Sequence, residues 1–220
     1  MKKLLQVISL LQLTKSQPLS GYILGGIGLS ETATLAEHHY TATLMGWLLV
    51  QKIRAAGGTI NERRVVLMLL IHDLSELFGG DISSPLNRKY PDLREHKDKI
   101  GERAIQLLSS YLDQSASCDF MTLWEELREG KSDEAVVVKI LDQMDHQLFL
   151  EYLHYHQRQA AGTDDYRPTY IANHVYALTE RIADVHTRGV MNEFLQTFQK
   201  DFFNRGYQGL SILMEEASEN

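Results

Sequence analysis

The chain has 220 residues, 44% hydrophobic and 23% charged, which is ordinary globular composition with enough apolar material for a sizeable core. A formal net charge of -7 without a basic block argues against a nucleic-acid polymer as partner, and no run of about 18 apolar residues is present to span a membrane. The one cysteine, Cys118, excludes an intramolecular disulfide and a thiolate metal cluster, and fits a reducing, cytoplasmic location.

Met1-Lys2-Lys3-Leu4-Leu5 starts like a signal peptide, but Gln6, Ser9 and Gln12 interrupt the apolar run. Leu4, Val7, Ile8 and Leu11 fall on one helical face, so residues 2–14 are expected to form a docked amphipathic helix. Residues 16–30 hold Pro18, Gly21, Gly25, Gly26 and Gly28 and read as a loop. A helix over 32–55 is closed by Gly57-Gly58. Asn61 caps the next helix, expected to run to about Phe78 and to end at Gly79-Gly80. Residues 81–91, with Pro85 and Pro91, read as a loop. Helices follow over about 92–113 and 119–129, and Ser132 caps another from about 133 to 160. Gly162–Pro168 reads as a loop, and the remainder as one or two helices with a break near Gly189 and a polar tail from Glu215. No strand-period segment, repeat or linker stands out. One all-α domain over 1–220 is expected, with the motif-bearing core at about 10–160 and C-terminal helices at about 165–215.

The chemistry concentrates in Ile71-His72-Asp73-Leu74-Ser75-Glu76-Leu77-Phe78-Gly79-Gly80-Asp81, directly after the apolar run Val65 to Leu70. Buried polar groups without partners are costly, so a His-Asp pair at the core end of a helix calls for a hydrogen-bond network or a cation. A lone pair of this kind is more often structural, but two other segments repeat the pattern. His38 shares its face with Ala42, Met45 and Leu49, whereas His39 points about 100° away. Asp142 lines up with Val138, Asp145 and Phe149, with Asp145 read as a solvated or salt-bridged neighbour. Three helices thus each present a ligand-type side chain on a face expected to be buried. Two imidazoles and two carboxylates suit one divalent ion of intermediate softness: Mn²⁺, Co²⁺, Fe²⁺, Ni²⁺ or Zn²⁺. An octahedral ion would keep about two positions open for water and substrate, as catalytic sites do. His154 and His156 are expected to be exposed, and His96, His146, His174 and His186 to be isolated; Trp47 and Trp124 are read as core anchors.

The order Glu37-His38, then His72-Asp73-Leu74-Ser75-Glu76 through Gly80-Asp81, then Val138-Lys139-Ile140-Leu141-Asp142, resembles the HD-domain metal-dependent phosphohydrolases, and among them most the 5'-deoxynucleotidase branch. The resemblance covers about residues 10–160. It implies an all-α HD-domain helical bundle in which His38, His72, Asp73 and Asp142 hold the metal, and Glu76 and Asp81 assist catalysis. The implied reaction is phosphate release from a nucleoside 5'-monophosphate or a similar small phosphate ester, by a protein that often forms homodimers. Glu76, one turn beyond His72, is suited to orient or deprotonate the attacking water.

The segment Ser16–Ile27 contains no arginine where that branch usually carries phosphate-binding arginines, and Tyr22 stands where relatives often place a tryptophan. Arginine's fork is hard to replace, so Arg88 and Lys89 become the candidate phosphate contacts. One alternative is an HD phosphodiesterase or pyrophosphohydrolase on another nucleotide, against which the simple four-ligand set argues. Another is a non-catalytic metal- or nucleotide-binding regulatory module, against which the retention of all four ligands and both carboxylates argues.

Overall fold

The computed structural model describes residues 1–80, 86, 89–155, 174–202 and 209. In chain order these form α1 (Lys2–Leu11), a 3-10 turn (Gln12–Lys15), α2 (Ser20–Leu24), α3 (Leu35–Ala55), α4 (Glu62–Ile71), a second 3-10 turn (Leu74–Glu76), α5 (Asp92–Ser109), α6 (Gln114–Glu129), α7 (Asp133–Tyr152), α8 (Tyr176–Thr179), α9 (Val185–Thr197) and a π-turn (Phe198–Phe202). The described residues contain no strand, only an isolated bridge between Pro18 and Thr34. The all-α expectation holds. The chain divides into two compact units, one of Met1–Trp47 and Glu62–Gly130, the other of Leu48–Asn61 and Lys131–Asn220.

In the first unit, Val7 is the one buried residue of α1, while Leu4 and Ile8 are exposed, so the docked face is narrower than the periodicity suggests. The expected loop after it contains α2, which buries Tyr22. Backbone bonds from Leu19 N–H to the Ala33 carbonyl and from Leu35 N–H to the Gln17 carbonyl fix the chain's entry into α3. There Thr34-Leu35-Ala36-Glu37 forms a reciprocal cap: the Thr34 N–H donates to the Glu37 carboxylate at 2.7 Å, and the Glu37 N–H to Thr34 Oγ1 at 3.3 Å. Glu37 is therefore a helix cap, and it sets the register in which His38 follows.

The helix expected to reach Phe78 stops at Ile71. His72 Nδ1–H donates to the Leu69 carbonyl at 2.8 Å, satisfying one of the orphan carbonyls at the end of α4. Asp73 leaves helical geometry at φ -107, ψ 11, and the chain resumes as the Leu74–Glu76 turn. Gly80, at φ +68, ends that segment with its N–H on the Glu76 carbonyl.

Helix α5 packs directly on this turn. A Cβ at Gly101 would lie 3.1 Å from Ser75 Cβ, and one at Gly79 would lie 2.7 Å from Ile100 Cγ2. The two glycines allow backbones to approach more closely than side chains would permit. An Arg64–Glu126 ion pair links α4 to α6. Helix α6 begins at residue 114, earlier than the periodicity indicates, because Asp113 caps it by accepting from Ala116 N–H at 3.0 Å. Trp124 is buried as expected, but Trp47 is 43% exposed and is no core anchor.

In the second unit α7 is central. Val136, Val137, Val138, Ile140, Leu141 and Met144 are all buried, so the β-branched run is helix core. Ser132 caps it as expected, accepting from Ala135 N–H at 3.2 Å. Helix α7 ends at Tyr152 rather than 160. Asp133 accepts from the Ala183 and Asp184 N–H groups at 2.7 and 2.8 Å, tying the start of α7 to the start of α9. Asp184 in turn caps α9. Its bonds to the Thr187 side chain and N–H hold its carboxyl below the usual range. No break occurs at Gly189, which lies within α9. The expected loop at 162–168 and the tail from 215 lie outside the described residues.

Candidate metal centre

The end of α4 and the first turn of α3 bring three ligand-type side chains of the first unit together. His38 Nε2 and His72 Nε2 are 2.9 Å apart. Asp73 Oδ2 lies 3.4 Å from His72 Nε2 and 3.7 Å from His38 Nε2. The side chain of His38 is fully buried and that of His72 is 5% exposed, while Asp73 is 24% exposed, so the cluster opens on the carboxylate side.

The protonation of His72 follows from its partner. A carbonyl only accepts, so Nδ1 carries the proton bonded to Leu69, and Nε2 keeps its lone pair aimed at His38 and Asp73. A histidine whose far nitrogen donates to a backbone carbonyl is the usual form of a metal ligand, with ring orientation and tautomer both fixed. Two imidazole nitrogens and a carboxylate oxygen, with ligand atoms all within 4.8 Å of one another, form a donor set that fits an intermediate-softness divalent ion.

His39, read from the helical angle as pointing away, is 6% exposed, and its ring centroid lies 4.7 Å from that of His72. The first turns of α3 are covered on more than one side, so an offset of about 100° does not carry a residue into solvent.

Glu76 follows on the 3-10 turn with its side chain 15% exposed, and its Oε1 lies 3.1 Å from Lys97 Nζ on α5. The sequence reading passed over Lys97. The available signal was spacing: Lys97 is one turn before Gly101 on the stripe continued by Ala104, Ile105 and Leu108, all buried. Asp81 and Arg88 lie outside the described residues. Lys89 is exposed, 5.7 Å from the ring centroid of its neighbour Tyr90.

In the second unit Asp142 sits on α7 with its side chain 22% exposed. Its Oδ1 is 3.2 Å from His146 Nε2, one turn on, and the Gln143 side-chain amide donates to its Oδ2 at 2.9 Å. His146 is thus a partner of Asp142 rather than an isolated histidine, and their i,i+4 spacing was the readable sign. Asp145, expected to be solvated or salt-bridged, is 8% exposed. His96, His154, His174 and His186 are exposed, and His156 lies outside the described residues.

Comparison with known proteins points the same way. A family model described as HD domain matches residues 27–165. A 5'-deoxynucleotidase of Vibrio cholerae is 28% identical over 173 residues, which cover 76% of this chain and 81% of that protein. The 5'-deoxynucleotidase HDDC2 of Bos taurus is 31% identical over 142 residues, 64% of this chain and 63% of that protein. Among solved structures, a protein from Pyrococcus horikoshii OT3 superimposes with TM-score 0.64 at 21% identity, covering 88% of this chain and 96% of that one. A predicted metal-dependent phosphohydrolase from Magnetospirillum magnetotacticum MS-1 gives TM-score 0.60 at 18% identity, covering 89% and 90%. The family match takes in more than half of the chain, including His38, the His72-Asp73 pair and Asp142; the chain belongs to the HD-domain family.

Proposed function

We propose that this chain is a metal-dependent phosphohydrolase that releases phosphate from a (deoxy)nucleoside 5'-monophosphate or a similar small phosphate ester. The observation that carries the reading is the His38, His72 and Asp73 cluster, with the His72 tautomer fixed so that its lone pair faces the other two. Relatives named 5'-deoxynucleotidases support the substrate class. In this reading one divalent transition-metal ion is held by His38, His72, Asp73 and Asp142. Asp142 is the fourth ligand, and the second carboxylate, in the H…HD…D order. The remaining finer points of the reading are a single HD-type domain over 1–220 and a cytoplasmic location, which the lone cysteine supports; among the described residues no helix is long and apolar enough to cross a membrane.

A bound cation of this kind supplies charge neutralisation at a phosphate oxygen. The residues do the rest. The Leu69 carbonyl holds the His72 ring, and Glu76, one turn beyond, orients or deprotonates the attacking water, sharing the general acid-base work with Asp81. Arg88 and Lys89, which follow Asp81 in the sequence, are the proposed phosphate contacts in place of the arginines that Ser16–Ile27 lacks. Tyr22, read with them as a substrate contact, is 7% exposed.

The test is phosphate release from a panel of ribo- and deoxynucleoside 5'-monophosphates by chelator-treated protein, with Mn²⁺, with Co²⁺ and without metal. Release that depends on added metal is expected. No release from any nucleotide, by protein shown to hold its metal, would overturn the nucleotide reading. A nucleoside monophosphate or pyrophosphate as product, from a longer substrate, would favour the phosphodiesterase or pyrophosphohydrolase alternative.

The same reading includes a homodimer. Tyr40, Leu44, Trp47 and Leu70 are exposed and line a groove of about 540 Å³ on α3 and α4, as do Glu62 and Arg63. An isologous interface pairs the same patch on both copies, and an apolar groove lined by residues of both charge signs suits such pairing. Sedimentation is expected to give a dimer for the native chain and a monomer for Trp47→Glu. A native monomer would overturn this part.

A further inference from the structure

The geometry points to Lys97 as a positioning residue of the reaction, holding the Glu76 carboxylate in its working direction. The inference rests on the phosphohydrolase reading above. Lys97 Nζ lies 3.1 Å from Glu76 Oε1, within hydrogen-bond range. The lysine side chain is 33% exposed and the glutamate 15%, so the pair is partly withdrawn from solvent.

A half-exposed lysine on a helix is ordinarily a solvated charge, and an exposed pair contributes about 0–1 kcal/mol to stability. Placement separates Lys97 from that case. Its register is fixed by packing. Gly101, one turn later on the same face, brings the α5 backbone against Ser75, so that a Cβ there would stand 3.1 Å from Ser75 Cβ. Ser75 is the residue before Glu76. One contact therefore locks α5 to the 3-10 turn, and the preceding turn of α5 delivers the ammonium to the carboxylate. Gly79 repeats the close approach against Ile100 on the far side of Glu76. The residues flanking Lys97 on α5, His96 and Asp98, are exposed, whereas Lys97 lies on the inward stripe.

The consequence concerns geometry rather than affinity. Glu76 has three side-chain torsions and sits on a 3-10 turn three residues long, which by itself would leave the carboxylate several rotamers. An ammonium anchored on a packed helix selects one of them. Misplacement of a reacting group by about 1 Å can cost on the order of 100-fold in rate, so the loss of Lys97 falls on kcat. A lysine that gripped the substrate phosphate would instead express itself in KM.

The experiment uses full-length, metal-loaded protein and whichever 5'-monophosphate it turns over fastest. Lys97→Met keeps the stem and removes the charge. It is expected to lower kcat by about 10- to 100-fold with KM within about twofold, while Lys97→Arg restores most of the lost kcat. The Mn²⁺ affinity, read by calorimetry, is expected to be unchanged in both. A rise in KM with kcat held would overturn the proposal in favour of a phosphate contact, and unchanged kcat and KM would reduce the pair to a surface ion pair. Failure of the native protein to turn over any substrate would be a different result, since it removes the functional reading itself.

Discussion

Asp73→Asn is expected to abolish metal-dependent phosphate release and to weaken Mn²⁺ binding by more than about 100-fold, the upper end of what loss of an outer-shell partner costs. The Asp73 carboxylate faces both imidazole nitrogens, at 3.4 and 3.7 Å, and is the one negative charge in that cluster of the first unit. Asparagine has the same shape but carries no charge, and an amide oxygen is a poorer ligand for this class of ion. Stability should change little. Asp73 is 24% exposed on its side chain, and its place in the turn depends on the backbone bond from Glu76 N–H to its carbonyl, which the substitution keeps. The checks are calorimetric titration of chelated protein with Mn²⁺, phosphate release, and a thermal midpoint. A variant that still binds Mn²⁺ with native affinity would remove Asp73 from the ligand set.

The parts of this site legible in the sequence are those encoded by an inconsistency. His38 and Asp142 each interrupt an apolar stripe, and His72-Asp73 closes one. A polar group on a face that must be buried carries a cost that only a partner removes, and that cost is visible in one dimension. What stayed hidden depends on backbone detail or on where separate helices meet. The stop of α4 at Ile71 is made by a side chain bonding to a carbonyl three residues back, and helical periodicity gives no sign of it. The capping role of Glu37 is spelled out by Thr34 three residues earlier, but in the sequence Glu37 stands out only as part of the family motif. The helical angle sets His39 apart from His38, but it does not say that the position is also covered. Trp47 erred the other way: size and apolarity argue for a core position, but the side chain is 43% exposed on α3. Lys97 came last because a lysine in a stretch as charged as Asp92–Lys99 looks solvated; only the Gly101–Ser75 contact turns it inward.

Glu76→Gln is the substitution that separates the site's two kinds of carboxylate. It is expected to lower kcat by about 100- to 10,000-fold, the range for loss of a positioned general acid-base group, while Mn²⁺ affinity stays within about twofold. The reason lies in what glutamine keeps. Its side-chain oxygen still accepts from Lys97, so the group retains its direction, and its volume still fits beneath α5. It cannot take up a proton at the attacking water. Asp73→Asn therefore loses metal and turnover together, whereas Glu76→Gln loses turnover with the metal in place. Lys97→Met should fall between native protein and Glu76→Gln, because the proton acceptor is still present there and only its aim is lost. Single-turnover phosphate release at saturating Mn²⁺ measures all three on one scale. If Glu76→Gln kept native kcat, the proton transfer would have to be carried by Asp81, and the Lys97 pair would then have no catalytic group to position. The expected order of kcat is native, then Lys97→Met, then Glu76→Gln, and that order ties the pair at the foot of α5 to the chemistry rather than to the packing of the helix.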